Sequence, residues 1–224
     1  VLALLDPGDE VIIFEPFYEN YGPDAILCEA TPVFVPLVAP DWTFDADALR
    51  AAITPRTKAI VVNSPHNPTG HVFSRDELQV IADLCVANDL LVFTDDPYEY
   101  ILFDGEHIPM ATLPGMAERT VTISSLSKTF SCTGWRLGYA IAPAKHTDAI
   151  RKVHDFLTVG APAPLQQAAA VGYAFPESYY AELSAEYAAR RAYLGAALRQ
   201  AGFTFAEPQG AYYFFADFRA LSRD

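Results

Sequence analysis

Cysteine is scarce in this sequence: Cys28, Cys85 and Cys132 are the only three, far apart and with no C-x-x-C pair. That spacing argues against a zinc site or a disulfide framework, and a sparse odd count fits a reducing, cytoplasmic setting. Positive charge is short as well. Fifteen Lys and Arg stand against 28 Asp and Glu, a net charge of −13. Such a surface repels phosphate backbones and anionic bilayers, so neither nucleic acid nor a membrane is expected as a partner. No apolar run reaches the ~18 residues of a spanning helix, and no signal peptide, internal repeat or low-complexity tract is visible. What the chain has in quantity is apolar mass: 51% hydrophobic residues, with 15 Phe and 12 Tyr in 224 residues. Disorder is excluded, and there is core enough for one domain, or one domain plus part of a second.

Short apolar runs alternate with helical patterns, which predicts an α/β architecture. Strands are expected at residues 11–14, 32–37, 59–62, 90–94, 120–123 and 137–141. The β-branched run at 59–62 suits a central parallel strand. Helices are expected at 45–53, 74–88, 145–157, 165–174 and 178–201. Ser74 and Glu77 have the capping-box spacing, and Gly202 closes the last helix. Asp6-Pro7-Gly8-Asp9 reads as a turn, residues 1–5 as the last turns of a helix, and 211–218 as a late aromatic strand. A boundary near Pro176 divides residues 1–175 from 176–224, with the long helix as the link. The start at Val1 without a methionine, and the stop soon after the late run, lead us to expect a piece of a longer protein.

Three strand ends carry candidate chemistry. After the 59–62 strand comes Asn63-Ser64-Pro65-His66-Asn67-Pro68-Thr69-Gly70, a loop that its prolines stiffen. It is either a plain strand-to-helix turn or a platform offering Asn67 as a donor, at the edge where open α/β sheets bind ligands. The 90–94 strand ends in Asp95-Asp96-Pro97-Tyr98, a solvated acidic turn or a charge aimed into a cleft. The 120–123 strand runs into Ser124-Ser125-Leu126-Ser127-Lys128. A lysine there either snorkels to water or serves as a desolvated nucleophile. Arg136 follows in Thr133-Gly134-Trp135-Arg136, as a structural ion pair or a phosphate clamp. Together, an amide, a carboxylate, a lysine, hydroxyls and an arginine match one cofactor, pyridoxal 5′-phosphate. It needs a lysine for its imine, an acid for its ring nitrogen, donors for its 3-oxygen and a cationic cradle for its phosphate. No metal is expected: His66 and His71 flank a Pro-rich turn with no carboxylate pattern around them. Ser125-x-x-Lys128 as a serine acyl-transfer motif lacks the Ser-Asp-Asn and Lys-Thr-Gly that it requires.

Asp95 follows Asn67 by 28 residues, Lys128 follows by a further 33, and Arg136 by 8 more. In this order and spacing the sequence resembles the class I/II (fold type I) aminotransferases. Pro7-Gly8-Asp9-Glu10-Val11 and Gly210-Ala211-Tyr212-Tyr213 fit too, so the resemblance covers nearly the whole chain. It implies a three-layer α/β/α large domain with a mostly parallel sheet, plus the start of an α+β small domain. By the same resemblance, Lys128 carries the cofactor and then acts as general base. Asp95 keeps the ring nitrogen protonated. Asn67 and Tyr98 bind the 3-oxygen, Ser125, Ser127 and Arg136 the phosphate, and Tyr18 stacks on the ring. It further implies an L-amino acid and a 2-oxo acid as substrates, as in the aspartate and kynurenine-type branch, and a homodimer. A carbon–sulfur β-lyase and a non-catalytic cofactor-binding regulator are the alternatives. Asp95-Asp96-Pro97 departs from the family's Asp-Glu followed by a branched residue. The family's glycine-containing phosphate loop would lie before Val1, and its substrate-carboxylate arginine after Asp224. Arg219 and Arg223 stand too close to the late aromatic run to be that arginine.

Overall fold

The computed structural model describes residues 1–222. Side chains alternate across a strand, so an all-apolar strand must be covered on both faces. In β1 (Glu10–Glu15), Val11 and Ile13 enter one core, and Ile12 and Phe14 enter another. In β4 (Thr57–Asn63), Ala59 and Val61 are divided from Ile60 and Val62 in the same way. β5 (Leu91–Asp95) sends Leu91 and Phe93 one way and Val92 the other. The first core is closed by Leu49 of α2 (Ala46–Ala52) and by Leu78, Ile81 and Cys85 of α3 (Arg75–Asn88). The second is closed by Ala25 of α1 (Tyr21–Leu27) and Ile150 of α5 (Ala144–Thr158). The expected three layers result. Each fully enclosed isoleucine, such as Ile12 or Ile60, contributes about 1.5–3 kcal/mol.

One seven-stranded sheet has the order β3-β2-β1-β4-β5-β6-β7. β2 (Thr31–Val38), β1, β4, β5 and β6 (Thr120–Ser125) are parallel. The edges, β3 (Thr43–Phe44) and β7 (Gly138–Ile141), are antiparallel to their neighbours. The site elements β4, β5 and β6 therefore end side by side. The chain continues through α5, α6 (Ala163–Gly172) and α7 (Glu177–Gln200), which Gly202 terminates at φ +92°. Among the described residues no helix is long and apolar enough to cross a membrane.

Two expectations fail. Residues 211–218 are not a strand: only isolated bridges occur nearby, Leu102 with Gly210 and Thr204 with Asp217. Ala211 is left-handed (φ 58°) and its N–H goes to Ile101 O, so the backbone turns where a ladder would need it extended. Residues 1–5 form a turn, with the Leu4 and Leu5 N–H groups on Val1 O. Two helices went unread. In α1 the Gly22-Pro23 pair imitates a loop, although proline is tolerated in a first helical turn. At four residues, α4 (Leu126–Thr129) is too short to show a period. Arg223 lies outside the described residues.

The capping box at Ser74 forms as expected. Ser74 Oγ accepts from Glu77 N–H at 3.3 Å, and the Glu77 carboxylate accepts from Ser74 N–H at 2.8 Å. The same carboxylate meets His71 Nε2 at 3.1 Å, tying the 63–70 loop to α3. Burial pushes the Glu77 carboxyl up, but the bonds from His71 and Ser74 outweigh it and hold it below the usual range. The stabilisation is thus complete above the unfolded carboxyl value of about 4.3 and is lost as pH falls through the lower folded value. Glu77→Gln is expected to be less stable than wild type to urea at pH 7, and the gap should narrow as the pH falls below the unfolded carboxyl value. A gap independent of pH contradicts this role.

Candidate active site

β4 and β5 pair in register as far as Asn63 with Asp95, and Asp95 lies opposite Ile123 of β6. Asn63 joins two candidate groups: its Nδ2 donates to Asp95 O at 2.6 Å, and its Oδ1 accepts from Asn67 N–H at 2.6 Å. The Asn67 loop is thereby fixed to the end of β5. Behind it, buried His66 shares a 2.8 Å contact between Nδ1 and Thr69 Oγ1. Burial, then the charge of His71, pushes His66 down to about 3, so it is a neutral packing group.

Asp95 Oδ2 accepts from Tyr21 Oη at 2.5 Å, and no described residue donates to Oδ1. Burial raises the Asp95 carboxyl; the Tyr21 bond and the Lys128 charge pull it back without cancelling the rise. A buried carboxyl short of positive charge is what a cationic ring N–H would relieve. Asp96 is a different group. It is buried, bonded to Thr94 Oγ1 at 2.7 Å, and driven well above the carboxylate range by burial and then by Glu99 and Asp95. Only the first acid of the pair faces outward.

Lys128 sits in α4, half-buried, with Nζ 5.6 Å above the Tyr212 ring. Burial raises the Tyr212 phenol, but Lys128 and the hydroxyls of Tyr213 and Tyr98 outweigh it and leave the phenol below its ordinary value. Tyr98 is buried, edge-on to Tyr212 at 5.2 Å and to Tyr213 at 5.7 Å, with its Oη 2.6 Å from Tyr213 Oη. Asn67 Nδ2 donates to Tyr213 Oη at 3.4 Å. Lys128, Tyr98 and Asn67 therefore meet around a tyrosine pair from the far end of the chain.

Backbone bonds hold that pair in place. Gly70 O accepts from the N–H groups of Gln209 and Gly210, and Ala211 N–H donates to Ile101 O. Gly210 has no room for a side chain: a Cβ would stand 2.7 Å from Pro65 Cγ and 3.0 Å from Ile101 O. The 208–211 segment thus clamps the loops bearing Asn67 and Tyr98.

The remaining candidates are less gathered. Ser125 caps α4, accepting from Ser127 N–H at 3.1 Å and donating to Ser127 Oγ at 2.6 Å. Arg136 is exposed and donates to Thr133 O at 3.1 Å; no described bond joins it to Ser125 or Lys128. Tyr18 is 38% exposed and edge-on to Tyr21 at 5.6 Å. It lines a 200 Å³ cavity with Tyr21 and Asp95, whereas Lys128, Ser127, Tyr212 and Tyr213 line another of 410 Å³. Sequence reasoning missed Tyr21, Asn63, Tyr212 and Tyr213. A weak signal existed for Tyr21, three residues after Tyr18, and for the tyrosine pair that follows Gly210.

A doubly covered, mostly parallel sheet thus brings a lysine, a carboxylate and an amide to adjoining strand ends, the layout of a three-layer α/β protein with a site at its sheet edge. The family model for aminotransferase class I and II matches residues 1–224, and the chain belongs to that family. Among curated relatives, "Probable N-succinyldiaminopimelate aminotransferase DapC" of Mycobacterium tuberculosis is 46% identical over the whole chain and 57% of its own length. Kynurenine--oxoglutarate transaminase 3 of Mus musculus is 42% identical over the whole chain and 53% of its own length. The chain thus spans little more than half the length of these relatives. Among solved structures, N-succinyldiaminopimelate aminotransferase from Mycobacterium tuberculosis matches with TM-score 0.96 at 45% identity, covering all of this chain and 59% of that one. Aromatic aminotransferase from Pyrococcus horikoshii matches with TM-score 0.92 at 36% identity, covering 97% of this chain and 59% of that one.

Proposed function

We propose that this chain forms the pyridoxal 5′-phosphate-binding core of an aminotransferase that moves an amino group between an L-amino acid and a 2-oxo acid. The observation that carries the reading is the meeting of Lys128, Asp95, Asn67 and Tyr98 at the adjoining ends of β4, β5 and β6. When bound, the cofactor supplies an electron sink for the bond broken at the substrate α-carbon and a carbon that carries the amino group. Asp95 holds the ring nitrogen's proton: Tyr21 occupies Oδ2 and leaves Oδ1 for that N–H. Asn67 and Tyr98 donate to the 3-oxygen, and Tyr18 covers the ring. Ser125, Ser127 and Arg136 hold the phosphate. Lys128 Nζ anchors the cofactor, then removes the α-proton and returns it, a general-base role worth about 10²–10⁴-fold.

We assign residues 1–175 to the large domain and 176–224 to the linking helix and the start of a small domain. The long α7 supports this. We also place the protein in the cytoplasm as a homodimer. The three free cysteines support the former, and apolar side chains left in water, such as Phe156 at 92% exposure, the latter. The relatives are named for different substrates, succinyldiaminopimelate and kynurenine among them, so the amino acid is left at class level. A product assay on the whole protein tests the reaction. A 2-oxo acid that accumulates only when a second 2-oxo acid is supplied as acceptor supports transamination. Ammonia released without an acceptor contradicts it.

A further inference from the structure

Asn67 and Tyr98 come from different loops, and one side chain touches both. Tyr213 Oη accepts from Asn67 Nδ2 at 3.4 Å and lies 2.6 Å from Tyr98 Oη. A phenol carries one proton and two acceptor positions. With Asn67 donating into Tyr213, the Tyr213 proton is free to go to Tyr98 Oη, and the Tyr98 proton is then free for another acceptor. The rings have little freedom to do otherwise. Tyr98 is wedged edge-on between Tyr212 and Tyr213, whose centroids are 4.7 Å apart. Burial raises the Tyr98 phenol and pushes Tyr213 up to about 12, so both stay protonated near neutral pH. The clamp at Gly70 and Ile101 fixes the backbone from which Tyr213 projects.

We propose that Tyr213 is a positioning residue of the cofactor site: its hydroxyl, set by Asn67, orients the Tyr98 hydroxyl so that its proton is presented to the anionic 3-oxygen of pyridoxal phosphate. This rests on the proposed function. It adds a third member to the Asn67–Tyr98 pair, acting through Tyr98. Losing the ordered donor leaves more negative charge on the 3-oxygen, which then holds the neighbouring proton more tightly. The pH midpoint of the bound cofactor's visible band must therefore rise.

The test loads the full chain with pyridoxal 5′-phosphate and titrates that band in wild type, Tyr213→Phe, Tyr98→Phe and the double variant, with Lys128→Ala as control. Tyr213→Phe keeps the ring and its packing. Its midpoint is expected to rise by about half to one unit, and its cofactor dissociation constant about threefold to tenfold. The double variant should shift no further than Tyr98→Phe. A midpoint equal to wild type, with or without a lower melting temperature, overturns the positioning role, as do shifts that add in the double variant. A wild-type chain with no lysine-dependent band overturns the functional reading itself, whereas a normal band with a silent Tyr213→Phe overturns only this inference.

Discussion

Lys128→Ala will lose the visible band that pyridoxal 5′-phosphate forms with the protein, and the whole protein carrying it will transfer amino groups at least about 10²-fold more slowly. The expectation follows from position. The chain has four lysines, Lys58, Lys128, Lys145 and Lys152. Three are exposed, and only Lys128 is half-buried, in the turn that leaves β6. Its amine faces Tyr212, and its charge reaches the Asp95 carboxyl. Removing the amine takes away both the anchor and the base, while the apolar core of the sheet is untouched. Far-ultraviolet circular dichroism should match wild type. A variant that keeps the band and the rate contradicts the assignment.

Gly70→Ala should be the most damaging single-methyl change near the site. Gly70 has φ +74°, a conformation that costs other residues about 1–2 kcal/mol. The added Cβ would overlap Pro208 Cβ and stand 3.0 Å from Pro208 Cα, against backbone that cannot swing aside. Overpacking of this kind costs about 1–3 kcal/mol, so a total of about 2–5 kcal/mol is expected in urea unfolding. The same shift would part the 208–211 segment from the Asn67 loop, because Gly70 O holds both Gln209 and Gly210. Cofactor affinity should fall along with stability. A variant as stable as wild type shows that the clamp is loose.

Much of the sheet was legible because its strands are short apolar runs between turn residues, and α3 announced itself through Ser74 and Glu77. The candidate site was legible only in part. Asn67, Asp95, Tyr98 and Lys128 stand in motifs with fixed spacing. Tyr21 and Asp95 are 74 positions apart, and Tyr213 is 115 from Tyr98 and 146 from Asn67. No local pattern records such meetings; the crossovers of a parallel sheet create them. The failed strand at 211–218 has the same origin. Its aromatic alternation looks like a strand, but its first residue, Ala211, is left-handed and its N–H is already bound to Ile101 O. The motif offers Arg136 as an ion-pair partner or a phosphate clamp, and in this structure its guanidinium donates to Thr133 O.

The most direct test of the site is borohydride reduction of the protein loaded with pyridoxal 5′-phosphate, followed by peptide mapping. The expected result is one reduced adduct, on Lys128, at close to one per chain. Label spread over Lys58, Lys145 and Lys152, or no label at all, would contradict a cofactor site at the ends of β4, β5 and β6.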